Sequence, residues 1–137
     1  MHISPHLCFD GRCKAAFQRY HQLFGGTLTL LTYGESPMAP HVDPRWHDHI
    51  VHATLRFEDV ELAGADLLQN YSKPQGMFVL LTVEDAAQAK RIFSSLATGG
   101  EIQLPFEQTF WSAGFGVLVD QFGVPWEINT AQPAASG

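Results

Sequence analysis

Glu127 lies in a run, 124–129, in which Val124, Trp126 and Ile128 alternate with Pro125, Glu127 and Asn129. Side chains alternate along a strand, so an apolar set packed beneath a helix sends Glu127 to the opposite face. A carboxylate placed there can ligate a hard divalent ion or carry a proton; the plainer alternative is a solvated strand glutamate. His6 and His52 fall in two other extended runs. Two imidazoles and Glu127 make a donor set suited to zinc or iron, with positions left open for substrate. Hydrogen bonds to neighbouring strands or to water account for the same histidines without a metal. Glu127 is thus the candidate catalytic residue, and His6, His52 and Glu127 are the candidate metal ligands.

Four further features have two readings each. His47, His49 and His52 spell H-x-H-x-x-H, but on a strand the first two face away from the third, so a surface cluster after Pro44 explains them better than a metal. Arg56 either holds an anionic substrate or forms a cross-strand ion pair with Glu61. Trp46 either lids a cavity or covers the edge of the core. Trp111, beside Phe110 and close to Gly114 and Gly116, either walls a pocket or packs in the core. With His6 and His52, these make Arg56, Trp46 and Trp111 the candidate substrate contacts.

These residues need elements to position them. An extended run over 3–9 ends at Asp10-Gly11, and Cys13, Ala16, Phe17, Tyr20, Leu23 and Phe24 then recur at helical spacing over 13–24, closed by Gly25-Gly26. Strands follow at 27–33, 49–57 and 60–66, with Pro37, Pro40 and Pro44 marking a loop over 34–48. A two-residue turn at Glu58-Asp59 pairs Arg56 with Glu61, Thr54 with Ala63 and His52 with Ala65. After a polar linker over 68–75 the order repeats: a strand at 77–83, a helix over 84–97 marked by Ala86, Ala89, Phe93 and Leu96, and strands at 101–108, 115–120 and 124–129. The last two form a hairpin whose Gly123 supplies the positive φ of the turn. The chain therefore reads as an α+β fold of two βαβββ modules, about 1–68 and 76–131, within one domain spanning 1–137. One helix covers one face of each curved mixed sheet, and the opposite faces enclose a cavity.

Composition narrows the function. With 137 residues, 45% hydrophobic and 16% charged, the chain is globular rather than disordered. A net charge of −6 with only eight Lys and Arg argues against a nucleic-acid surface. Cys8 and Cys13 read as reduced thiols. No basic leader or bilayer-length apolar run appears, so no membrane association and a cytoplasmic location are expected. Neither half shows a glycine-rich turn between a parallel strand and a helix, which argues against a nucleotide cofactor and a methyltransferase reading.

The doubled order resembles the vicinal oxygen chelate (glyoxalase/bleomycin resistance/dioxygenase) superfamily. Within it the chain is most similar to the PhnB-like group, through Phe9-Asp10-Gly11, Tyr20 to Phe24-Gly25-Gly26, His52, Thr109-Phe110-Trp111, Gly114-Phe115-Gly116 and Asp120-Gln121-Phe122-Gly123-Val124-Pro125-Trp126. The resemblance implies a small-molecule ligand, a homodimer, and a metal-binding role for Glu127. It also places Met77 where glyoxalase I has a histidine, and alanine where a fourth-strand carboxylate is expected. Two functions follow: a metal-dependent isomerase, lyase or dioxygenase-type enzyme on a small oxygenated substrate, or a metal-free binding protein of the bleomycin-resistance type.

Overall fold

A computed structural model describes residues 1–135 of the chain. It contains β1 (His6–Phe9), α1 (Cys13–Phe24), β2 (Thr27–Thr32), β3 (Ile50–Phe57), β4 (Val60–Asp66), β5 (Val79–Val83), α2 (Ala86–Ala97), β6 (Glu101–Glu107), β7 (Phe115–Val119) and β8 (Pro125–Thr130). These group into two compact units, Met1–Ser72 and Lys73 onward. Each unit is one βαβββ module with a four-stranded mixed sheet, ordered β1-β4-β3-β2 in the first and β5-β8-β7-β6 in the second. The β1–β4 and β5–β8 pairs are parallel and the others antiparallel. The expected α+β class and doubled module are therefore what the chain adopts. Among the described residues no helix is long and apolar enough to cross a membrane.

The helices form where the periodicity places them. In α1, Cys13, Ala16, Phe17 and Tyr20 are buried at the i, i+3, i+4, i+7 spacing of one face, and Phe9, Phe17 and Tyr20 meet edge to face beneath it. In α2 the buried set is Ala89, Ile92, Phe93 and Leu96. That helix begins at Ala86 rather than 84 because Asp85 is its N-cap, its carboxylate accepting from the Gln88 N–H. Two strands are also shorter than their apolar runs: β1 starts at His6 and β5 at Val79, leaving Met77 outside the ladder. The Pro-rich loop is not wholly irregular. It carries 3₁₀ turns at Ala39–His41 and Pro44–Trp46, each with proline in its first positions, where the missing N–H costs nothing.

The hairpin at the end of the second unit closes as expected, with Val119 opposite Pro125 and Gly123 at φ 89°. Its internal clamp is Asp120, a buried carboxylate that accepts from the N–H groups of Phe122 and Val124 and from Trp126 Nε1. Asp66 plays a wider part in the first unit. One of its oxygens accepts from Gly11 and Cys13 N–H and the other from Ile50 N–H, so it ties the α1 entry to the start of β3. Because Ile50 donates to this side chain, the β3–β4 ladder ends at Ala53 opposite Gly64, one step short of the expected His52–Ala65 pair.

Candidate functional site

In the second unit the helix-covered face of β8 carries Trp126 and Ile128, both buried, while Glu127 is half-buried on the other face. Strand register then fixes its neighbours. Leu80 of β5 lies opposite Glu127 on one side, Val117 of β7 on the other, and Leu104 of β6 beyond Val117. Glu127 is thus the one charged side chain in the row Leu80–Glu127–Val117–Leu104. Among the described residues it makes no hydrogen bond and no ion pair. Leu80 and Leu104 are 58% and 45% exposed, so the row is an open apolar strip crossed by a carboxylate.

The next row on this face is Thr82, Asn129 and Phe115. Asn129 stands two residues from Glu127, about 7 Å along the strand. Its Oδ1 is buried without a hydrogen-bond partner. A buried polar atom normally finds protein, water or ligand, so Asn129 belongs with Glu127 as a group able to hold a donor. Sequence reasoning placed Asn129 on the correct face but gave it no role; the alternation that singled out Glu127 was the available signal. Trp111 reaches the same face through Phe115, their ring centroids 5.3 Å apart, and Phe110 meets Trp111 edge to face at 4.8 Å. The glycines beside them do not open the pocket. A Cβ on Gly114 would strike the Phe106 ring of β6 at 2.3 Å and one on Gly116 would meet Phe93 of α2 at 2.6 Å, so both glycines make room for rings on the helix side of the sheet.

The first unit presents a more polar open face. His6 and Cys8 of β1 point away from buried Leu7 and Phe9, with His6 Nδ1 3.7 Å from Cys8 Sγ. His52 points away from buried Ala53, and Thr54 lies across Ala63 from His6. His6 and His52 therefore share a face, separated by one strand that carries only small side chains there, with Cα atoms about 12 Å apart from strand spacing and rise. Both are exposed. The fourth strand carries Ala63, paired with Thr54, and Ala65 on this face, and no carboxylate between them. Within either unit, among the described residues, no three of His, Cys, Asp and Glu gather as ligands of one ion.

Arg56 takes the ion-pair alternative. Its Nε lies 2.7 Å from Glu61 Oε1, and these hydrogen bonds, from Arg56 first and His2 second, hold the Glu61 carboxyl below the usual carboxylate range. The other histidines are not strand residues: His47 Nε2 contacts the carbonyls of Ala39 and Val42 and pins the 3₁₀ turns, and half-buried His49 packs on Trp46 at 5.0 Å. Both are half-buried and held by the loop around them rather than forming a solvated surface cluster. Both cysteines are free, and burial, with Asp66 adding to it, pushes the Cys13 thiol far above its ordinary range.

This pair of four-stranded sheets with one helix each defines the class: the glyoxalase/bleomycin resistance/dioxygenase fold. A glyoxalase-related enzyme from Fulvimarina pelagi shares it over all of this chain and 98% of its own, with TM-score 0.64 at 16% identity, a likeness that carries the fold alone. Residues 1–129 match the family described as 3-demethylubiquinone-9 3-methyltransferase, and the chain belongs to that PhnB-like family. It is 31% identical to protein YjdN of Escherichia coli (strain K12), covering 96% of this chain and 97% of that one. Protein PA1353 from Pseudomonas aeruginosa is 40% identical with TM-score 0.89, over 96% of this chain and 98% of its own. The PhnB protein from Bacillus cereus, itself described as a putative 3-demethylubiquinone-9 3-methyltransferase, is 26% identical with TM-score 0.78, over 96% and 100%.

Proposed function

We propose that this protein binds a small, partly apolar molecule through the open face of the second sheet, with Glu127 as the group that holds or moves a proton of the ligand. The observation that carries this reading is the unpartnered, half-buried Glu127 in the row formed with Leu80, Val117 and Leu104. A carboxylate set among apolar side chains favours a ligand with an apolar body and a hydrogen-bond donor, and Asn129 offers a second acceptor beside it. Trp111 and Phe115 would cover the ligand's ring or chain. The family description names methyl transfer, but the β1–α1 turn is used otherwise here: the Gly11 and Cys13 N–H groups donate to Asp66. At the start of α2 the Ala86 N–H donates to Gln132. Both helix entries are thus closed by the protein's own acceptors.

A metal-assisted version is the second reading, supported by the donor types. Glu127 offers an oxygen in the second unit, and His6 and His52 offer two imidazoles on one face of the first sheet. A divalent ion held by such donors would polarise adjacent oxygens of a substrate. Elemental analysis of protein purified without a histidine tag tests it: one equivalent of zinc or iron, lost in E127A, H6A and H52A alike, is the result a metal-dependent enzyme requires. Less than a tenth of an equivalent in the wild type would leave the binding function and remove the metal. We further propose a cytoplasmic homodimer, in which the exposed Met77, Phe78 and Ile102 would find cover.

A further inference from the structure

The first unit holds a cavity of about 200 Å³ that neither His6, His52 nor Arg56 lines. Its walls include Asp10, Trp46, His49, Leu67, Leu68 and Tyr71. The frame around it is fixed by the backbone bonds to Asp66 and by Leu67 N–H donating to the Phe9 carbonyl. Gly11, at φ 115°, completes that frame. A Cβ there would lie 2.7 Å from His49 Nε2, so only glycine lets the imidazole lie against this turn. Asn70, at φ 62°, turns the chain after β4 along another side.

The chemistry of the walls is uneven. Asp10 carries the one formal charge among the lining residues, and no Lys or Arg is present on the wall. Asp10 Oδ1 pairs with Arg12 Nε at 3.2 Å, both side chains half exposed, and its Oδ2 makes no hydrogen bond among the described residues. Trp46, Tyr71 and His49 supply rings, and Trp46 already draws a cation, with the Arg45 guanidinium carbon 4.9 Å from its ring centroid. Rings and one carboxylate suit a cation that needs few hydrogen-bond acceptors. We propose that this cavity binds a small alkylated ammonium compound, its charge over the rings and toward Asp10. The volume suits a free solute somewhat larger than benzene, which fills a cavity of about 150 Å³.

The test is a titration of the ¹⁵N-labelled protein with choline and with 3,3-dimethylbutan-1-ol, which has the same shape without the charge. Choline is expected to shift, saturably, the Trp46 indole N–H and the amides of 10, 49 and 67–71, and the neutral alcohol to bind about tenfold more weakly. D10N, at an exposed position, should weaken choline about tenfold while leaving the rest of the amide spectrum in place, and E127Q should leave choline binding unchanged. Equal binding of the alcohol, no saturable shift, shifts confined to the second unit, or loss in E127Q but not D10N would each overturn the proposal. So would choline-competable co-sedimentation with phosphatidylcholine vesicles, which would make the ligand a lipid headgroup rather than a free solute.

Discussion

Asp66 and Asp120 are both buried carboxylates that accept at least three hydrogen bonds from nitrogen, yet they organise their units differently. The partners of Asp66 are Gly11, Cys13 and Ile50, far away in sequence, so one side chain brings together the α1 entry, the β3 start and the β4 end. Those of Asp120 include Phe122, Val124 and Trp126, which lie within its own hairpin. The open faces differ in parallel. The first unit's carries His6, Cys8, His52 and Thr54 around small alanines, whereas the second's carries Leu80, Leu104, Val117 and Phe115 around Glu127 and Asn129. A repeated module thus keeps its helix-facing core while its other face and its polar staple diverge.

Removing the staples gives the largest expected effects. Asp66→Ala leaves three backbone N–H groups unpaired, those of Cys13 and Ile50 buried and that of Gly11 half-buried, and should lower stability by about 4 kcal/mol, read from urea unfolding. Asp120→Ala should cost less, about 2 kcal/mol, because the backbone bonds from Asp120 N–H to the Val124 carbonyl and from Gly123 N–H to the Asp120 carbonyl still close the turn. Equal costs would erase the distinction between a non-local and a local staple. A smaller effect is expected from pH. The Cys13 thiol has its pKa raised by burial from an ordinary 9.0, so the folded chain keeps a proton that the unfolded chain releases. The stability from the neutral thiol is therefore complete below pH 9 and falls as the pH rises above it, and Cys13→Ala should flatten that alkaline decline. Maleimide should accordingly label half-buried Cys8 in the native protein and Cys13 only after unfolding. Smallest of all is Arg56→Ala, whose exposed pair with Glu61 should leave the unfolding midpoint nearly unmoved.

The elements were legible because their signals are local. Four apolar positions at helical spacing define each helix, and Gly123 and the Glu58-Asp59 turn set the registers that place Arg56 opposite Glu61 and Leu118 opposite Trp126. The parity that turns Glu127 from the core was equally readable. What the sequence concealed depends on distant partners. Nothing near Asp66 shows that three remote N–H groups converge on it, and so the early end of the β3–β4 ladder was hidden as well. Gly114 and Gly116 look like pocket-liners until Phe106 and Phe93 are seen filling their space. His49 likewise reads as one of a histidine run, although its place against Gly11 makes it part of a cavity wall.

The central claim is that the row around Glu127 is a ligand surface, and a titration with catechol, which joins an apolar ring to two hydroxyl donors, addresses it most directly. Followed by amide shifts, catechol should perturb 80, 117, 127 and 129 saturably, and E127Q should weaken it by about tenfold or more through loss of a charge-assisted hydrogen bond. Catechol that leaves these amides unmoved, or that binds E127Q as well as the wild type, would contradict the account.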